Sequence, residues 1–328
     1  MRAAWFEEFG AASDVLKVGQ LDAPEAGPGE VLVRMHTSGI NPSDVKKRAG
    51  SFPDLLDGGL VIPNSDGAGI IEAVGDGVDK SRVGERVWVF QAQHARRFGT
   101  AAEHVAISSN CAPRLSKNAE FDVGASLGIP VMTAHRAVFA DGPVEDQTIL
   151  VTGGAGRVGY FAVQWASRAG ATVIATASNP ADAATCKSAG AHHVVNHRDD
   201  AFAASVLEAS GGKLIDRVVD VDFGANLPVS IEVLRTGGTI ATYASAQVPE
   251  PKLPFFQMMY KDLTIRMIIV YAMPVSAKDH AIADISKALA DGWLQHRIAE
   301  TLPLDEIAKG NEIIEQGGCR GAVILTID

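Results

Sequence analysis

The segment whose residue types and spacing most directly imply chemistry is Gly154-Ala155-Gly156-Arg157-Val158-Gly159. It reads GxGxxG, a pattern that lets the main chain wrap a pyrophosphate. The first glycine suits a tight turn, the second a close approach of backbone to phosphate, and the third close packing of a helix on the preceding strand. A helix starting there turns unsatisfied N–H groups and the positive end of its dipole toward an anion. The run from Gly154 to Gly159, with Ala155, Arg157 and Val158, is therefore a candidate cofactor loop. The pattern is weak without its setting, and here the setting fits. Residues 148–152 form a continuous apolar strand. Apolar residues at 158, 161, 162, 165, 166 and 169 then make one face of a helix that Gly170 ends.

The strand that follows, 172–177, bears on which dinucleotide is bound. A carboxylate at its end would hold a ribose 2′-hydroxyl and repel a 2′-phosphate. The sequence there is Ala175-Thr176-Ala177-Ser178-Asn179, with no carboxylate. Ser178 and Asn179 can donate to a phosphate. Asp182 falls in the first turn of the next helix, where it complements the dipole. His197 and Arg198, after the third strand, reach toward the same pocket. The reading favours NADPH over NADH. Tyr243, closing the strand 239–243, is a further cofactor-binding candidate.

The elements that must position this loop alternate strand and helix from residue 148 to 243, the pattern of a doubly wound parallel sheet. The first 110 residues differ. Val31, Val33 and Met35 alternate with Leu32, Arg34 and His36, and short runs at 68–74, 83–89 and 102–107 are punctuated by glycine. That texture predicts a compact barrel-like β domain. Helical stretches over 121–140 are expected to be interrupted at Gly128 and Pro130. Near the end, Ser276-Ala277-Lys278-Asp279 reads as a capping box opening a helix through Leu289, a shorter helix spans about 305–315, and 322–327 is a final strand that completes the N-terminal β domain.

Composition narrows the function classes. The chain of 328 residues carries 29 basic and 39 acidic side chains, a formal charge of −10. This argues against a nucleic-acid partner, which needs a basic surface. No stretch of 18 apolar residues predicts a membrane span, and Glu7 and Glu8 interrupt the N-terminus too early for a signal peptide. Cys111, Cys186 and Cys319 are far apart and form no CxxC, so neither a structural zinc lobe nor a disulfide framework is expected and a cytoplasmic location fits. The nine histidines show no HExxH or other ligand spacing. The apolar segment around Phe255, Phe256, Tyr260 and 268–270 reads as core or as a dimer edge.

Several short motifs, in order along the chain, resemble the zinc-independent quinone oxidoreductase (zeta-crystallin-like) branch of the medium-chain dehydrogenase/reductase superfamily. They are Ser38-Gly39-Ile40-Asn41-Pro42-Ser43-Asp44, Asp66-Gly67-Ala68-Gly69, Val83-Gly84-Glu85-Arg86-Val87, Gly99-Thr100-Ala101-Ala102-Glu103, Thr133-Ala134, the glycine loop with Gln164, and Gly190-Ala191. The resemblance implies an α/β architecture of two domains. A GroES-like β-rich catalytic domain spans 1–120, completed by about 272–328, and a Rossmann domain is inserted over 121–271. It also implies a homodimer. Zinc-dependent relatives in the superfamily would carry a cysteine at Asn41 and a histidine near Ser65, and catalytic zinc wants Cys, His or carboxylate ligands. With Asn41 and Ser65 there, no zinc is expected and the alcohol-oxidising Lewis acid is missing. Hydride would instead go from NADPH to a quinone or α,β-unsaturated carbonyl, whose conjugation stabilises the charge formed.

The resemblance places Asn41 beside the nicotinamide, where its amide would stabilise the acceptor oxygen. Asp44 would orient Asn41 or Lys47, or take part in a proton relay, and turn capping explains it equally. Lys46 and Phe52 stand where tyrosines are frequent and would line the acceptor pocket. Thr133 would lie beside the nicotinamide. Asp182 stands where a phosphate-holding lysine is frequent, and His197 where a tyrosine is. Two rival functions use the same scaffold: an enoyl-thioester or 2-alkenal reductase, and a crystallin-like protein that binds NADPH without turnover.

Overall fold

A computed structural model describes residues 1–327. The chain divides into two compact units, one formed by Met1–Ile129 with the C-terminal stretch from Ile282, the other by Pro130–Ala281.

The first unit is built on Glu30–Ile40, an eleven-residue strand whose burial alternates until its last four residues, Thr37–Ile40, are all buried. The alternation is that of a strand with one face on the core. Asp66–Val74 pairs with it antiparallel along one edge. On the other edge His104–Ser108 covers residues 30–34, and Ala322–Thr326 covers 37–40, with Val323 opposite Ile40. Arg86–Val89 and Ile298–Pro303 extend the sheet at its two ends. Val31, Val33, Met35, Ile71, Val87, Val105, Val323 and Leu325 meet in its core. The C-terminal strand is thus part of the sheet that the N-terminal residues begin.

The second unit holds a six-stranded parallel sheet in the order Thr264–Met267, Leu234–Thr242, Ile215–Asp220, Thr148–Val151, Thr172–Thr176, His193–Val195. Counted along the chain, this is the doubly wound order with the crossover at Thr148–Val151. Of its two central strands, Thr148–Val151 is apolar after its first residue, as expected where helices cover both faces, while Ile215–Asp220 also carries Asp216, Arg217 and Asp220. Leu150, Ile174, Val218 and Ile240 pack against Phe202, Val206, Phe223 and Leu227.

Three local expectations are corrected. Pro130 does not interrupt a helix; it lies in the first turn of Gly128–Phe139, where a missing N–H breaks no helical bond. Ser276 does not cap the next helix, because Val275–Asp291 starts one residue earlier and Pro274 accepts the N–H groups of Ala277 and Lys278. Phe255, Phe256 and Tyr260 are not core: on the six-residue helix Phe255–Tyr260 only Met258 is buried, and these rings are 65–77% exposed. Among the described residues, no helix is long and apolar enough to cross a membrane.

Candidate active site

The glycine loop follows Thr148–Val151 and opens the helix Gly159–Arg168. Its left-handed residue is Gly153, with φ +62°, one place ahead of the motif's first glycine. Gly154 serves packing instead: a Cβ there would sit 2.8 Å from the Ala175 Cβ and 2.9 Å from the Cys186 Sγ. Gly159 is tighter still, since its Cβ would come within 2.2 Å of the Gly153 carbonyl oxygen. That oxygen accepts the Gly156 N–H at 2.8 Å, closing the turn. Gly154, Ala155 and Gly159 are buried, while Gly156, Arg157 and Val158 are half-buried at the loop's outer side. The loop has the shape its chemistry needs: no side chain fits where the main chain folds back on itself, and the helix N-terminus stands directly behind it. These residues suit a dinucleotide's pyrophosphate.

Thr176 and Val195 are register partners on adjacent parallel strands, so Ser178–Asn179 and His197–Arg198 follow neighbouring strand ends. Asn179 caps the helix Pro180–Ser188: its Oδ1 accepts the Asp182 N–H at 2.9 Å, and its Nδ2 donates to Asp182 Oδ2 at 2.9 Å. Asp182 is therefore turned toward its own cap, as the dipole argument expects. Ser178 is half-buried, and His197 and Arg198 are exposed. Partial desolvation of the ring, then the Arg198 charge, lowers the His197 pKa. Thr133 is buried within Gly128–Phe139. Tyr243 follows the strand Leu234–Thr242; burial and then the nearby Asp220 charge raise its phenol pKa.

In the first unit, Ile40 hands the chain to the helix Pro42–Arg48, with Asn41 as its N-cap. The Asn41 N–H donates to Asp44 Oδ2 at 2.8 Å, and the two residues close a reciprocal capping box. The Asn41 side chain donates to Asp66 Oδ2 at 2.9 Å, which also accepts the Ile129 N–H at 2.8 Å. Ser65 Oγ donates to Asp44 Oδ1 at 3.4 Å. Lys47, also buried, donates to the Gln93 carbonyl. Burial pushes the Lys47 ammonium below its ordinary pKa, and the Asp44 and Asp66 charges pull it back up. Asn41, Asp44 and Asp66 are each no more than 2% exposed. The structure thus brings Asn41 and Asp44 together and places Lys46 and Phe52 on the surface, Phe52 at 48% exposure.

The positions discussed for zinc hold an amide and a hydroxyl, each already bonded to a carboxylate. Among the described residues, no three His, Cys, Asp or Glu side chains converge as metal ligands. This donor set does not fit a catalytic zinc.

Residues 27–141 match the family of alcohol dehydrogenase GroES-like domains and residues 158–287 that of zinc-binding dehydrogenases. Human quinone oxidoreductase is 29% identical over 100% of this chain and 98% of its own length. The two matched domains and the quinone oxidoreductase relatives together support a zeta-crystallin-like quinone oxidoreductase of the medium-chain dehydrogenase/reductase superfamily. The chain is an oxidoreductase, with a GroES-like domain and a Rossmann domain. A 2-haloacrylate reductase from Burkholderia is 29% identical, over 91% of both chains. A mycobacterial protein solved in complex with NADPH superposes with a TM-score of 0.87 at 27% identity, over 100% of both chains.

Two features of this quinone oxidoreductase relative escape a reading from sequence. Asp66 stands in a quoted motif, yet only the fold shows its carboxylate holding Asn41. Gly153 precedes the GxGxxG pattern; the doubled glycine Gly153-Gly154 is the signal that could have placed the turn one residue earlier.

Proposed function

We propose that this protein reduces a quinone or an α,β-unsaturated carbonyl with NADPH and without a metal. The observation that carries the reading is the pairing of Asn41 with Asp66 and of Ser65 with Asp44 at 2.9 and 3.4 Å, which leaves an amide and a hydroxyl where a zinc enzyme needs ligands. Bound NADPH supplies the hydride. Asn41, held by Asp66 and by its own capping box, hydrogen-bonds the acceptor oxygen as negative charge develops there. Asp44 acts by fixing Asn41, and solvent delivers the proton. The glycine loop holds the pyrophosphate, Thr133 and Tyr243 contact the nicotinamide half, and Ser178, Asn179, His197 and Arg198 hold the 2′-phosphate. Lys46 and Phe52 border the acceptor.

The Burkholderia relative's name keeps conjugated double bonds beside quinones as acceptors. The exposed Phe255, Phe256, Tyr260 and Met267, on and beside the sheet's edge strand, support a homodimer. The expected setting is the cytoplasm, with no nucleic-acid or membrane partner. The test is cofactor oxidation followed at 340 nm with 9,10-phenanthrenequinone and with crotonaldehyde, using NADPH and NADH in turn. Turnover of either acceptor with NADPH at the lower KM is expected. Binding without turnover of any acceptor would leave the crystallin-like reading, tighter NADH binding would overturn the cofactor assignment, and stoichiometric zinc in the active protein would overturn the metal-free mechanism.

A further inference from the structure

We infer that Asp220 is a positioning residue for the phosphate loop, acting through Thr152 as the acceptor that fixes where the loop leaves the sheet; this rests on the proposal that the loop binds NADPH. Asp220 ends the strand Ile215–Asp220, which lies beside Thr148–Val151 with Val219 opposite Val151. Thr152 is the last residue before Gly153. Its N–H donates to the Val219 carbonyl at 3.0 Å, and its hydroxyl accepts the Val221 N–H at 2.9 Å. The hydroxyl has one hydrogen to give. Asp220 Oδ1 stands 2.8 Å away and the Val219 oxygen 3.4 Å, so the hydrogen goes to Asp220. On the opposite side, Gly153 donates its N–H to Thr176 Oγ1 at 2.9 Å. The root of the loop is therefore gripped from both flanking strands.

The same Asp220 oxygen accepts the Asn226 amide at 2.7 Å and the Asp222 N–H at 3.2 Å. Asp222 in turn accepts the Ala246 N–H at 2.9 Å. One buried oxygen thus joins the start of the phosphate loop to the helix Phe223–Val233, and the Asp222 carboxylate carries the link to the segment after the next strand. Asp220 is fully buried. Burial raises its pKa, against hydrogen bonds from Asn226 and Thr152 that lower it. A negative charge beneath a polyphosphate site opposes the ligand, so what this carboxylate contributes is the geometry of an acceptor and not its charge. That separates the two properties experimentally.

The test compares Asp220→Ala, Asp220→Asn and Thr152→Val by NADPH titration, steady-state kinetics and melting. Asp220→Ala and Thr152→Val are expected to raise the NADPH Kd and KM at least tenfold, equivalent to about 1.4 kcal/mol. In both, kcat at saturating NADPH should stay within about twofold and the acceptor KM should not move. Asp220→Asn keeps an acceptor oxygen for Thr152 and should bind within about threefold of wild type. The inference is overturned if folded Asp220→Ala binds NADPH like wild type, or if Asp220→Asn is as impaired as Asp220→Ala. Loss of kcat and acceptor KM together with stability overturns it too, since a merely structural role would do that. Should Asp220→Ala fail to fold, the near-isosteric Thr152→Val decides alone. Wild-type protein that binds neither dinucleotide sinks the proposed function as well; wild-type binding with unaffected variants sinks only this inference.

Discussion

Replacing Gly159 with alanine adds one methyl group where the loop has no room for it. The new Cβ would lie 2.2 Å from the Gly153 oxygen, 2.9 Å from its carbonyl carbon and 3.1 Å from the Gly154 Cα. These are backbone atoms, so no side chain can swing aside. Forcing a group into a packed site costs ~1–3 kcal/mol, and alanine's better helix propensity returns up to ~1 kcal/mol. The net loss of about 1–2 kcal/mol corresponds to a Tm lower by roughly 2–8 °C for a domain of this size. The displaced oxygen is also the one that closes the turn on Gly156, so NADPH affinity should fall by about tenfold or more. Gly156→Ala is the internal comparison. Its Cβ would stand 3.0 Å from the same oxygen and meet nothing else within 4 Å. It should melt within about 2 °C of wild type yet still bind NADPH poorly, because its methyl group occupies the pyrophosphate's approach. Fluorescence titration of NADPH and thermal melting separate the two effects. A Gly159→Ala protein that melts with wild type and binds NADPH within twofold of it would refute the reasoning.

Other consequences can be checked in the same preparations. Asn41→Ala should lower kcat/KM about 10- to 100-fold with the NADPH Kd unchanged, as expected for a donor to developing charge; unchanged turnover removes Asn41 from the mechanism. Arg198→Ala should weaken NADPH about tenfold, the size of a charge-assisted hydrogen bond, and leave NADH alone; equal loss for both dinucleotides contradicts the 2′-phosphate assignment. Asp141 pairs with Arg217 at 2.9 Å and also with Arg266. Burial raises its pKa, but the arginines outweigh that and hold it below the usual carboxylate value. Its contribution is therefore present above pH 4 and lost as the pH falls through the lowered value. Asp141→Asn should destabilise by about 2 kcal/mol at pH 7, toward the low side for a pair whose Arg217 is buried while Asp141 is partly exposed. The difference should vanish near pH 2, and urea melts that show the same gap at both pH values would contradict the pairing.

The Rossmann unit was largely legible because Thr148–Val151 and Thr172–Thr176 read as short, mostly apolar and buried runs, and because Gly170 and Gly190 stop the helices that follow them. The polar interior of the other unit was not. Asp66 reaches Asn41 across 25 positions, and a lone aspartate in a sequence looks the same at a surface turn as in a core. Lys46 and Lys47 are adjacent on a helix of seven residues, too short for a period to tell which one faces inward. The resemblance singled out Lys46 for the acceptor pocket; the structure places Lys46 at the surface and buries Lys47. Asp220 escaped for a similar reason, since its partner Thr152 is 68 positions away. Phe255, Phe256 and Tyr260 could be read as core or as a dimer edge because apolar composition cannot distinguish an interior from an uncovered edge, and their exposure removes the first.

Asn41 follows Ile40 directly, and Ile40 pairs with Val323. During synthesis the strand Glu30–Ile40 therefore emerges with its distal edge bare, and it waits for nearly three hundred further residues to be made before Ala322–Thr326 arrives to cover it. The Rossmann unit, contiguous in sequence, can fold in the meantime. On the proposed function, a nascent chain would then hold its dinucleotide before it could use it: cofactor binding matures first, and the sheet that carries Asn41 is finished only once Ala322–Thr326 has been made. A truncation just short of Ala322 should leave that earlier, binding-only state as its end point.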